Sequence, residues 1–131
     1  MKQLFSKTIN EFSAFFRGCD GSFVNRVIVS LSYKSFEDGQ LIQSANDPCT
    51  DIYFVKKGGV AVCETTFFHE PILIYGKGAV FNVYQVLMKT QLEFDFRAKS
   101  KDHIEVIELM KLPREIFLQT CESFPKSTEL V

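Results

Sequence analysis

The sequence lacks an excess of charge of either sign, and this limits the partners that it would bind. It has 15 lysine and arginine residues against 16 aspartate and glutamate residues, and its formal net charge is −1. Apart from the pairs Lys56/Lys57 and Lys99/Lys101, the basic residues are scattered. A protein that neutralises a phosphate polyanion needs a basic face. We therefore expect no nucleic acid among the partners.

The residue groupings that build metal sites and catalytic centres are also absent. The four cysteines are far apart and form no Cys-x-x-Cys motif: Cys19, Cys49, Cys63 and Cys121. His69-Glu70 and Asp102-His103 have no nucleophile elbow or Gly-rich phosphate loop to work with, so we interpret them as parts of exposed loops. We predict no metal site, no catalytic residue and no enzymatic activity. The cysteines are predicted to be reduced thiols, and Cys19, beside Arg17, is the one to test for reactivity.

No long apolar run is present either. The start of the chain, Met-Lys-Gln-Leu-Phe-Ser-Lys, has no apolar region typical of a signal peptide, and no stretch approaches the roughly 20 apolar residues of a membrane span. We expect a cytoplasmic protein without direct membrane insertion. A location at the cytosolic face of a membrane would then depend on the rest of a longer protein or complex.

The chain has enough apolar residues for one core. Its 131 residues are 46% hydrophobic and include 14 phenylalanines, which suits a single structural domain. Residues 1–33 are predicted to be a helical segment. Phe5, Ile9, Phe12 and Phe16 follow the spacing of one helix face, and Asp20 is placed to cap a second helix.

Residues 34–131 have the pattern of a β-domain. Short runs rich in β-branched and aromatic residues alternate with turn sequences such as Glu37-Asp38-Gly39 and Gly76-Lys77-Gly78. The predicted strands are Lys34 to Phe36, Leu41 to Gln43, Ile52 to Lys56, Val60 to Thr65, Ile72 to Tyr75, Glu93 to Lys99 and His103 to Leu109.

Two further helices are predicted within this β-domain. Asn82 to Gln91 shows no alternation, and Val83, Val86 and Leu87 would share the inner face of a short helix. Pro113 is predicted at the first position of a last helix, which would end at Phe124-Pro125. The predicted fold class is α+β: an antiparallel, jelly-roll-like β-roll with N-terminal helices, an internal helix and a C-terminal helix.

One hairpin gives this order of elements a family resemblance. The run Tyr53-Phe54-Val55-Lys56-Lys57-Gly58-Gly59-Val60-Ala61-Val62 resembles the signature Tyr-Phe-Ile-x-x-Gly-x-Val-x-Val of cyclic-nucleotide-binding domains. Ala45-Asn46-Asp47 departs from the family, which usually has a glycine in that turn. The stretch from Phe16 to Asp20 is similar to the helix that joins such a domain to the gate of plant potassium channels and hyperpolarisation-activated channels. The resemblance covers roughly residues 12 to 125 and implies a channel-type homology domain.

The resemblance also implies where a cyclic nucleotide would bind. Members that bind the nucleotide carry Phe-Gly-Glu, then an arginine, in a segment that we call the cassette, here residues 78–98. The glycine lets the backbone approach the phosphate, the glutamate accepts from the ribose hydroxyl, and the arginine matches the phosphate charge. In this chain Phe81 is retained, but Asn82 stands at the glycine position, Val83 at the glutamate position and Leu92 at the arginine position. Tyr84 follows Val83 in the same segment.

Arg97 leaves one alternative open. Phe96-Arg97-Ala98 matches the strand that leaves the cassette, but Arg97 would become the phosphate ligand if the alignment shifted. The chain would then be a genuine sensor of cAMP or cGMP that uses Arg97 and the backbone of residues 82–84. The simpler interpretation is that Arg97 points outward from that strand.

The leading hypothesis is a regulatory domain of a cation channel or related membrane transporter that has no cofactor and acts in gating or protein docking. By resemblance only, residues 124–131 would fill the nucleotide site from within the chain. A third hypothesis is a docking subunit of a ciliary or membrane complex. The expected partners are the rest of such a channel or complex. Homo-oligomer formation is predicted to use the N-terminal helices.

Overall fold

A computed structural model describes residues 10–64, 71–91 and 93–123. The helices in these residues are α1 (Ser13–Phe16), α2 (Gly21–Val29), α3 (Val83–Met88) and α4 (Arg114–Ser123). The strands are β1 (Ser32–Phe36), β2 (Leu41–Gln43), β3 (Asp51–Lys57), β4 (Gly59–Cys63), β5 (Leu73–Tyr75), β6 (Val80–Phe81), β7 (Asp95–Lys99) and β8 (Ile107–Pro113).

The strands form two antiparallel sheets of four strands each. One sheet has the order β1-β8-β3-β6 and the other β2-β7-β4-β5. Consecutive strands β3 and β4 belong to different sheets, so the chain turns a corner at Gly58, where φ is +80°. The predicted antiparallel β-roll with flanking helices and an internal helix is confirmed.

Strand β3 lies at the centre of the core and is covered on both faces. Ile52, Tyr53, Phe54 and Val55 are all buried. The ring of Phe54 contacts Phe12 edge to face, with the ring centroids 5.1 Å apart. Side chains alternate between the faces of a strand, so the next residue on each side of Phe54 points into the roll. This double coverage explains why β3 is continuously apolar rather than alternating.

The N-terminal helices pack their aromatic residues on the roll. Phe12 and Phe16 are buried, and Asp20 caps α2 by accepting a hydrogen bond from the Ser22 backbone N–H at 2.8 Å. The predicted cap is therefore confirmed. Homo-oligomer formation through these helices stays a prediction. Within the described part of the chain, no helix is both long and apolar enough to cross a membrane.

The last strand differs from its prediction. The predicted strand runs from His103 to Leu109, whereas β8 runs from Ile107 to Pro113. Asp102 Oδ1 accepts hydrogen bonds from the backbone N–H groups of Ile104 and Glu105, which holds residues 102–105 in a turn. Because that turn takes up these N–H groups, the strand cannot begin there.

Two smaller predictions also need correction. Pro113 was predicted as the first helical residue, but it is the last residue of β8 and pairs with Asp51, so α4 begins one residue later. Leu87 was predicted on the inner face of the internal helix, but it is partly exposed, and Val86 is the buried residue of α3. Strand β6 was not predicted, because its two residues are too few to show a period. The predicted helix end at residues 124–125 lies outside the described residues.

Candidate functional site

The cassette connects the two sheets at one end of the roll. It runs from β6 through Asn82 and α3 to β7. Gln91 forms an isolated antiparallel bridge with Pro48, and Asp95 accepts a hydrogen bond from Ala45 N–H at 2.7 Å. The cassette therefore lies against the loop between β2 and β3.

Asn82 takes the conformation that glycine would provide at this position. Its φ of 75° lies in the left-handed region, which asparagine tolerates better than most residues. The side chain is buried, and its Nδ2 donates to Oε1 of Gln43 on β2 at 2.9 Å. The Asn82 carbonyl accepts from Val86 N–H, which closes the first turn of α3. The turn of the cassette is thus preserved, but a side chain engaged with β2 replaces the open space of a glycine.

Neither of the two residues after Asn82 carries a carboxylate. Val83 is partly buried and packs against the core. Tyr84 is 65% exposed, so its ring points to solvent rather than into the roll. An apolar side chain cannot accept the hydrogen bond that a glutamate would accept from a ribose hydroxyl.

Phe81 belongs to an aromatic cluster inside the roll. Its ring stacks on Tyr75 with centroids 5.1 Å apart and on Tyr53 at 5.3 Å, and it lies 5.1 Å from Phe96. Burial raises the pKa of Tyr53 to about 12. These rings fill the interior next to the cassette, so Phe81 acts here as a core residue.

The remaining predicted residues are Arg97 and Leu92. Phe96 and Ala98, its neighbours on β7, belong to the buried core, so Arg97 lies on the outer face of that sheet. There its Nη1 donates to the carbonyl of Gly39 at 3.1 Å. Leu92 lies outside the described residues. The structure therefore brings Phe81, Asn82 and Val83 together and directs Arg97 away from them.

Two functional residues were missed by the sequence analysis. Gln43 is the partner of Asn82, and Asp95 is a buried carboxylate at the start of β7. Nothing in the sequence links Gln43 to a residue 39 positions away, because the contact depends on how the sheets close.

The other candidate groups from the sequence are the cysteines, the two histidines and Glu70. Burial raises the pKa of Cys19, Cys49 and Cys63, which keeps these thiols protonated. His103 Nδ1 lies 2.7 Å from Asp38 Oδ2 on the surface. The described residues contain no group of three or more potential metal ligands. His69 and Glu70 lie outside the described residues.

Comparison with known proteins agrees with the β-roll fold. The family model described as "Cyclic nucleotide-binding domain" matches residues 33–124. No curated protein matches the chain. The fold is similar to a crystal structure of a proposed cyclic nucleotide binding protein from Ruegeria pomeroyi, with a TM-score of 0.77 and 15% sequence identity. The match covers 94% of this chain but only 54% of that one, so the chain spans about half the length of that protein.

Proposed function

Since the chain belongs to the cyclic nucleotide-binding domain family, we propose that it is a non-catalytic regulatory module of a cation channel or related membrane transporter. It works at the cytosolic face of the membrane, where it acts in gating or in docking to the rest of the assembly. It does not bind cAMP or cGMP by the usual mode of the family. The hydrogen bond between Asn82 and Gln43 is the observation that carries this proposal.

An anionic nucleotide would need one group that contacts its ribose and another that contacts its phosphate. A hydrogen bond to a charged group contributes about 1.5–3 kcal/mol, and both the ribose contact and the phosphate contact are of this type. Val83 and Leu92 supply neither. Losing both contacts corresponds to a decrease in affinity of a hundredfold or more. In addition, a nucleotide that approached the backbone at Asn82 would have to displace its side chain from Gln43.

Calorimetric titration with cAMP and with cGMP tests the proposal directly. We expect no binding heat from the unmodified chain at millimolar nucleotide. The informative comparison is the triple variant Asn82→Gly, Val83→Glu and Leu92→Arg, which restores the three family groups and should gain measurable affinity.

Arg97→Ala is the matched control for the alternative in which Arg97 binds the phosphate. Micromolar binding by the unmodified chain that disappears in Arg97→Ala would overturn the proposal and make the protein a nucleotide sensor. Because Arg97 points to the outer face of its sheet, we expect the variant to behave like the unmodified chain in this assay.

A further inference from the structure

A basic groove lies at the end of the roll where β3 turns into β4 and where β7 ends. Its volume is about 710 Å³. Strand pairing fixes its place, because β4 begins at Gly59 opposite Lys99, the last residue of β7, whereas α3 precedes the first residue of that strand. Five lysines line the groove: Lys56, Lys57, Lys77, Lys99 and Lys101.

The positive charge of this groove is only partly neutralised. The described lining has three glutamates, Glu11, Glu105 and Glu108, against the five lysines. Lys57 lies 3.7 Å from Glu105 in an exposed ion pair, which contributes little. Among the described residues, Lys77 and Lys101 have no salt-bridge partner. A chain with a formal net charge of −1 thus concentrates unpaired cations at one end, where their mutual repulsion would be relieved by an anion.

Exposed aliphatic side chains occur in the lining of the same groove and next to lining residues in the chain. Ile74 lines it and is 51% exposed. Ile104, between the lining residues Lys101 and Glu105 in the chain, is 85% exposed, and Val106 is 47% exposed. Lysines beside protruding aliphatic residues match a lipid interface, in which ammonium groups meet anionic headgroups and apolar side chains enter the boundary with the acyl chains.

We propose that this end of the roll docks on the surface of an anionic lipid bilayer. Lys77 and Lys101 contact the headgroups, and Ile104 enters the interfacial layer. A soluble phosphate compound would satisfy the lysines but would give Ile104 no apolar surroundings, so the aliphatic rim favours the lipid source. The inference does not depend on whether the cassette binds a nucleotide.

Sedimentation with vesicles tests the proposal on the chain as it exists. The vesicles are phosphatidylcholine alone or phosphatidylcholine mixed with phosphatidylserine. We expect binding to the anionic vesicles only, decreasing as salt is raised. Each lysine near such a surface contributes about a fivefold change in partitioning, so Lys77→Gln with Lys101→Gln should weaken binding about 25-fold.

Matched variants distinguish binding by this surface from an effect of the total charge of the protein. Lys34 and Lys89 are exposed lysines outside the groove, and Lys34→Gln with Lys89→Gln removes the same charge. Ile104→Ser should weaken binding about tenfold. Val29→Ser, at a residue that is 63% exposed on α2, should leave binding unchanged. Circular dichroism would confirm that each variant is folded.

Each of the other outcomes overturns the proposal. No binding to anionic vesicles, or equal weakening by both lysine pairs, would mean that the groove is not a lipid-docking surface. Calorimetric binding of free inositol trisphosphate, lost with Lys77→Gln and Lys101→Gln but without vesicle binding, would assign the groove to a soluble phosphate compound instead. A nucleotide titration that contradicts the proposed function would leave these results unaffected.

Discussion

Replacing Gly58 with alanine tests how closely the corner between β3 and β4 is packed. Gly58 has a φ of +80°, and a Cβ built at this position would lie 2.7 Å from Cγ1 and 3.3 Å from Cβ of Ile107. Ile107 is fully buried at the start of β8, so its side chain has little room to move. The substitution would therefore impose both backbone strain and overpacking.

The two costs can be estimated separately. The left-handed conformation costs a residue with a Cβ about 1–2 kcal/mol, and overpacking of a filled core costs about 1–3 kcal/mol. We expect Gly58→Ala to lower the free energy of unfolding by about 2–5 kcal/mol in total. Gly39 is the matched control, because its φ is +84° and no atom lies within 4 Å of its Cβ position. Gly39→Ala should cost only the strain, about 1–2 kcal/mol.

Urea unfolding followed by circular dichroism measures the free energy of unfolding of both variants. An unchanged m-value would show that each variant exposes the same amount of surface on unfolding. In a background that also has Ile107→Ala, the added cost of Gly58→Ala should fall towards that of Gly39→Ala, because the Cγ1 contact is gone and only the longer contacts to Cβ and Cα remain. Equal costs for the two glycine substitutions in the unmodified background would refute the steric argument and leave Gly58 as an ordinary turn residue.

Three further predictions concern a cap, a buried phenol and the cassette turn. Asp20→Ala should lower the free energy of unfolding by about 1 kcal/mol through loss of the α2 cap, while Asp20→Asn, which keeps an acceptor, should cost much less; urea unfolding would show the contrast. The pKa of Tyr53 is raised from 10.0 to about 12, so stability should be lost as pH rises across this window. At about pH 11 the loss is on the order of 1 kcal/mol, and Tyr53→Phe should abolish it; identical pH profiles would contradict the assignment. Asn82→Ala should destabilise the fold more than Asn82→Gly in thermal unfolding, because alanine loses the bond to Gln43 and still has to adopt a positive φ.

Much of the fold could be predicted because its signals are local. Strand β2 runs from Leu41 to Gln43 as expected, and Asp20 caps α2 because an N-cap needs only its own side chain and the next turn. At Ile104 and Val106 the local signal led to a wrong strand prediction. Two β-branched residues in alternation favour a strand, but the hydrogen bonds that Asp102 accepts from the backbone N–H groups of Ile104 and Glu105 override that preference.

The sites were harder to predict, because they depend on contacts that are distant in the sequence. The lysine pairs at residues 56–57 and 99–101 are visible in the sequence, but only the pairing of β4 with β7 brings them to the same groove. The outward direction of Arg97 likewise follows from the burial of its neighbours Phe96 and Ala98 in the closed roll. The substitutions in the cassette were identified by resemblance, while the engagement of Asn82 with Gln43 required the closed roll.

Under the proposed function, Asn82 lets a domain of this family keep its fold without the usual chemistry of its ligand. The turn into α3 requires a residue that tolerates a φ of 75°, and asparagine meets this requirement nearly as well as glycine. A nucleotide phosphate requires something different at the same position, namely the absence of a side chain so that the backbone can come close. Asparagine fails that second requirement and adds a hydrogen bond to β2 instead. Because the two requirements are separate, a substitution here can remove a binding site while making the turn that carried it more firmly connected to the roll.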